Sequence, residues 1–195
     1  LINSSGSISL ITYEGGNYVS SAPQSGVAEN NSSFKGSVVV EFSDNSTGVY
    51  VGSWLSSKVY LIDKPDNVDT LVSYMVADFA PYAVRLNGAG WGDLDSDGNP
   101  DIVFGSRYMA TNTAKVPIFR LEYQGGDKTL PASYTTTVID SAFWDNNGDM
   151  DVVYVADIDG DAADEVLYTQ GYTRGNPTDA PMPIVVLDPQ VTPVS

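Results

Sequence analysis

The stretch Asp93-Leu94-Asp95-Ser96-Asp97-Gly98-Asn99-Pro100-Asp101 crowds four carboxylates into nine residues, at loop positions 1, 3, 5 and 9. Charges held so close repel one another, and the direct remedy is a cation among them. Gly98, at position 6, suits a loop tight enough to need φ > 0. Side-chain oxygens in a flexible loop are hard donors, which favour Ca2+ over a transition metal. A second copy runs Asp157-Ile158-Asp159-Gly160-Asp161-Ala162-Ala163-Asp164-Glu165. Asp157, Asp159, Asp161 and Glu165 repeat the spacing, with Ala162 in place of the glycine and Glu165 in place of the last Asp. A third acidic turn, between Trp144 and Asp151, fits more loosely. Asp145, Asn147 and Asp149 take positions 1, 3 and 5, Asp151 arrives at 7, and Val153 falls at 9. There a metal site competes with a plain Asn-Gly turn leading into a strand.

The same spacing opens an EF-hand loop, which closes with a bidentate Glu at position 12 and lies between helices. Position 12 here is Phe104 in the first loop and Tyr168 in the second. The residues that follow position 9, Ile102-Val103-Phe104 and Val166-Leu167-Tyr168, are β-branched and aromatic and read as strands. Each loop therefore joins strand to strand. Asp-x-Asp-x-Asp-Gly-x-x-Asp followed by a hydrophobic strand ending in Phe104-Gly105 resembles the FG-GAP repeat, the integrin-α-type and VCBS-like unit of β-propellers. The resemblance covers roughly residues 36–189 and is closest in the first loop. It implies four-stranded blades, a calcium ion in each loop, and a further ligand at position 7 from the main-chain carbonyls of Asn99 and Ala163. It also implies binding or scaffolding rather than a named ligand.

The chain contains neither Cys nor His. Disulfides, thiolate catalysis and cysteine zinc sites are thereby excluded, and the usual general base is missing. The net charge of −16, from 25 acidic and 9 basic residues, opposes nucleic acid and anionic membrane surfaces as partners. No apolar run approaches the roughly 20 residues of a membrane helix, so no membrane insertion is expected. The opening Leu1–Gly6 shows no charged and apolar leader pattern.

Elsewhere the sequence alternates short apolar runs with Gly, Pro, Asn and Ser, and no helical period is sustained. Thirteen strands are expected: 7–13, 17–20, 36–42, 48–54, 58–62, 70–78, 83–86, 101–107, 117–123, 133–140, 152–156, 165–169 and 183–187. The reading is one all-β domain, 1–195, with repeat-like units near 36–80, 83–140 and 152–189. About three and a half blades leave open sheet edges. Such a chain is a piece of a larger propeller, closes with a second copy, or assembles into a filament; a β-sandwich carrying calcium loops is the alternative fold.

The expected function is a calcium-stabilised, extracellular or cell-surface module for adhesion, ligand binding or assembly. Its partners would be other protein chains, including copies of itself through open edges, or carbohydrate. The competing reading is a polysaccharide lyase or glycosidase on the same scaffold, using residues such as Arg107, Tyr108 or Glu122. Asn3, Asn30, Asn31 and Asn45 begin Asn-x-Ser/Thr triplets and are candidate glycan acceptors. Trp54, Trp91 and Trp144 are read as core or inter-blade packing before a carbohydrate platform. The run Gly88-Ala89-Gly90-Trp91-Gly92 leads into a loop rather than a helix and reads as a close approach of inner strands, not a phosphate cradle.

Overall fold

The computed structural model of the chain describes residues 9, 11–20, 34–65, 70–82, 84–108, 116–142, 150, 152–169 and 184–190. Among them no α-helix occurs, and every strand pairs antiparallel with its neighbour in sequence. A hairpin is formed by β1 (Ile11–Glu14) and β2 (Asn17–Ser20). The first four-stranded sheet comprises β3 (Phe34–Glu41), β4 (Thr47–Ser53), β5 (Lys58–Asp63) and β6 (Val72–Asp78). The second comprises β7 (Val84–Gly92), β8 (Asp101–Tyr108), β9 (Val116–Tyr123) and β10 (Tyr134–Ala142). A three-stranded sheet follows, with β11 (Val153–Ala156), β12 (Glu165–Thr169) and β13 (Ile184–Leu187).

The three larger sheets stack face to face, and the core lies in the two interfaces. Between the first and second sheets sit Tyr50, Leu61 and Val76 against Leu86, Ile102, Phe104 and Phe119. Between the second and third sit Leu94, Val103 and Ile118 against Met150, Val153, Val166 and Tyr168. Strand β8 is buried on both faces: Ile102 and Phe104 point one way and Val103 the other. That is why its sequence is a continuous apolar run rather than an alternating one.

The sequence suggests a short strand at 83–86, whereas β7 runs on to Gly92. Its second half carries too few large side chains to read as a strand, and the reason is tertiary. The third sheet leans on it so closely that a Cβ at Gly90 would stand 3.0 Å from a Val155 methyl and 3.3 Å from the Val153 carbonyl. On the other side, a Cβ on Gly36 of β3 would strike the Asn87 carbonyl. The first strands of successive sheets thus run side by side, as the glycine run suggests. The Gly88 N–H donates to the Met150 carbonyl at 3.2 Å across the second gap.

A candidate metal centre in two hairpin loops

Loop 1 (residues 93–101) joins β7 to β8, and loop 2 (residues 157–165) joins β11 to β12. A strand, not a helix, follows each, which excludes the EF-hand arrangement here. The loops share one backbone course despite their different sequences. Positions 4 and 6 have positive φ in both: Ser96 (58°) and Gly98 (83°) in loop 1, Gly160 (85°) and Ala162 (78°) in loop 2. Each loop therefore has glycine at one of these positions and tolerates a side chain at the other, at a cost of about 1–2 kcal/mol.

The internal hydrogen bonds match as well. The position-9 carboxylate accepts the N–H of position 2 in both: Leu94 to Asp101 at 2.8 Å and Ile158 to Glu165 at 2.6 Å. The position-5 carboxylate accepts the N–H of position 7: Asn99 to Asp97 at 2.7 Å and Ala163 to Asp161 at 2.9 Å. In loop 1 the carboxylate of Asp93 accepts the N–H groups of Asp97 and Gly98 at 3.0 and 2.9 Å. In loop 2 Asp157 accepts that of Gly160 at 2.6 Å.

These bonds turn side-chain oxygens toward common points. Carboxylate oxygens of Asp157, Asp159 and Glu165 lie within 4.8 Å of one another, as do those of Asp93, Asp95 and Asp101, and those of Asp95, Asp97 and Glu122. Asp161 joins no such trio among the described residues. Asn99 donates its side-chain amide to Asp97 at 3.0 Å. Asp145, Asn147, Asp149 and Asp151 lie outside the described residues.

The two loops differ in what already neutralises them. In loop 1, Arg120 of β9 reaches into the carboxylates. Its Nε donates to Asp101 Oδ1 at 2.6 Å, and its Nη2 donates to Asp95 Oδ2 at 2.5 Å and lies 3.5 Å from Glu122. Asp101 is fully buried. Burial raises its pKa to about 6, against the opposing pull of the Arg120 bonds and the Leu94 N–H. Burial also works against the guanidinium charge, but the carboxylates of Asp101 and Asp95 outweigh it and Arg120 holds its proton more firmly than usual. Among the described residues loop 2 has no such cation. Arg120 pairs with Val103, two residues beyond Asp101; two residues beyond Glu165, Leu167 pairs with Val186. Glu165 is only 3% exposed, one of its oxygens takes the Ile158 N–H, and the other, Oε1, has no hydrogen-bond partner among the described residues.

The loops are clasped together. The Asp164 N–H donates to the Asp93 carbonyl at 2.9 Å, and the Asp93 N–H donates to Asp164 Oδ2 at 2.7 Å. Gly92 has no Cβ, which leaves room for that carboxylate. Arg120, Glu122 as a ligand-side carboxylate, and Asp164 are absent from a reading of the loop spacing. Arg120 had one signal: a charge in the otherwise apolar run Ile118–Leu121, where burial demands a partner.

Comparison with protein-family models, with curated proteins and with solved structures found no match. The class of the chain therefore rests on its own geometry: an all-β protein whose sheet junctions carry acidic clusters able to hold a metal ion.

Proposed function

We propose that the chain is a calcium-stabilised, extracellular β-repeat module that serves adhesion, ligand binding or assembly of a surface structure. The observation that carries this reading is Glu165 Oε1, buried and without a partner beside the carboxylates of Asp157 and Asp159. A buried acceptor left unpaired costs about 1–3 kcal/mol, and more when charged, so the fold keeps it only if something else satisfies it. A divalent ion does so, and an all-oxygen donor set in a loop suits calcium. An affinity on the order of 10⁻⁴–10⁻³ M, as in extracellular modules, would be met outside the cytosol.

Consecutive antiparallel sheets, stacked face to face with their first strands adjacent, support propeller-type blades over a sandwich. This agrees with the resemblance to FG-GAP repeats. Assembly is supported by the outer face of the third sheet, where Tyr154, Ile184 and Val186 are exposed. Side chains of this kind in one face mark an interaction surface.

Calcium titration of the purified chain, followed by thermal unfolding and by size measurement, tests the reading. Calcium should raise the unfolding temperature, by an amount equivalent to about 2.7 kcal/mol per site at a hundredfold excess over the dissociation constant. It should also favour larger assemblies. An unfolding temperature unmoved by calcium, with magnesium and calcium indistinguishable, would overturn it.

A further inference from the structure

We propose that the end of the β7–β8 hairpin opposite loop 1 is an anion-binding site, where Lys35, Arg85 and Arg107 gather round Trp54 to take the carboxylate or sulfate group of an acidic ligand. Three of only nine basic residues in a chain of charge −16 meet at one indole. Lys35 Nζ lies 3.8 Å from the ring centroid, and the guanidinium carbons of Arg85 and Arg107 lie 5.1 and 5.6 Å from it. Arg85 and Arg107 are direct partners across the β7–β8 ladder, so two like charges share one face of the sheet. Such a pair is destabilising in itself. A cation–π contact at a surface is worth only about 0.5–1 kcal/mol, and one ring offers two faces to three cations.

Among the described residues no carboxylate pairs with Lys35 or Arg85. Arg85 Nε is buried and has no hydrogen-bond acceptor among the described residues. An oxyanion seated beside the indole would accept from that Nε and stand between the two guanidinium groups, a geometry their planar forks favour.

The scaffold is set before any ligand arrives. Trp54 sits in the β4–β5 turn, where Ser53 Oγ accepts the N–H groups of Leu55 and Ser56 at 3.2 and 3.1 Å. Ser57 Oγ, in the same turn, donates to the Val84 carbonyl at 2.9 Å and accepts the Val84 N–H at 3.2 Å. The turn carrying the indole is thus bolted to the residue next to Arg85. The acidic loop occupies the other end of the same hairpin, so the two charge signs are segregated along it.

The arginine Nε–Hε resonances of the 15N-labelled chain, titrated with sodium sulfate against chloride at constant ionic strength, test the proposal. The signals of Arg85 and Arg107 should shift and saturate while that of Arg120 stays fixed. Arg85→Gln should weaken sulfate binding at least tenfold. Lys35→Gln, at an exposed position that spares the fold, should weaken it severalfold. Dextran sulfate at equal sulfate concentration separates two sources of the group. Tighter saturation places it on a polymer, equal affinity places it on a free anion, and either supports the site. Shifts that fail to saturate, or that persist unchanged in both variants, mean an adventitious ion only and overturn the proposal.

Discussion

Glu165 and Asp101 hold the same loop position and the same bond to the N–H of position 2, yet one is left with a free oxygen and the other is matched by Arg120. Loop 2 should therefore carry most of the calcium dependence. Glu165→Gln should lower calcium affinity at least tenfold by calorimetry. In calcium-free buffer it should leave the chain as stable as before or stabilise it by about 1 kcal/mol, since a buried unpaired charge is removed. A loss of stability without calcium would argue that Glu165 is not poised for an ion. Arg120 gives the converse case. Arg120→Gln strips a buried carboxylate of its partner and should cost about 3 kcal/mol without calcium. Calcium should recover much of that, because the vacated space leaves Asp95, Asp101 and Glu122 open to the ion. Asp101 also imposes a pH dependence on the calcium-free chain. Its folded pKa of about 6 lies above the ordinary value of 3.8, so between those values the folded state keeps a proton that the unfolded state has released. Stability should fall as pH rises from about 4 to about 6, by on the order of 1–2 kcal/mol once water at the loop is allowed for. Asp101→Asn should flatten that slope in denaturant titrations at pH 4.5 and 6.5. The loops themselves were legible because their ligands are close in sequence. Arg120 and Asp164 were not, because strand register and sheet stacking bring them in from 19 and 71 residues away.

Strands were legible where side chains announce them and illegible where the neighbouring sheet dictates them. The run Ile102-Val103-Phe104 needs no partner to be read, whereas the last part of β7 is glycine because β11 and Asp164 occupy the space a side chain would take. The stacking of elements also creates polar links that no local pattern shows. Tyr50 of β4 and Tyr134 of β10 join the first two sheets through hydroxyls 2.6 Å apart. Tyr134 donates onward to the Lys128 carbonyl at 2.6 Å, so the Tyr50 hydroxyl is the donor in the shared bond. Burial is the main cause that pushes both phenols well above the usual tyrosine range. Below pH 10 both states are neutral and the full contribution is present. Above it the unfolded chain ionises while the folded chain keeps its protons, so stability falls as pH rises. Tyr50→Phe should cost about 1 kcal/mol at pH 8. It should also shallow the loss of stability between pH 9.5 and 11, measured as unfolding midpoints in urea. An alkaline slope identical to that of the unaltered chain would mean the pair is wetter than its geometry indicates.

The whole molecule repeats one joint. The face of the second sheet that bears Asp101 and Val103 is covered by β11, and the equivalent face of the third sheet bears Glu165 and Leu167. Nothing among the described residues covers that face. Tyr154, Leu167 and Val186 lie in register across it, and Tyr154 and Val186 are 63% and 55% exposed. A surface built to the same pattern as a buried one should accept a sheet of the same kind, supplied by another copy or by further chain. A heterologous contact of this sort propagates unless it closes into a ring. Calcium bound at loop 2 would bear on the same face, because Glu165 shares it, so occupancy of the loop and docking should rise together. The double variant Tyr154→Asp, Val186→Asp places charge on exposed positions only, and its unfolding temperature in calcium should match that of the unaltered chain. In sedimentation velocity with calcium the unaltered chain should form larger species as concentration rises, and the variant should remain a monomer. If both sediment alike at every concentration, the third sheet is an ordinary surface and the assembly reading fails, while the calcium sites stand or fall on the titration of loop 2.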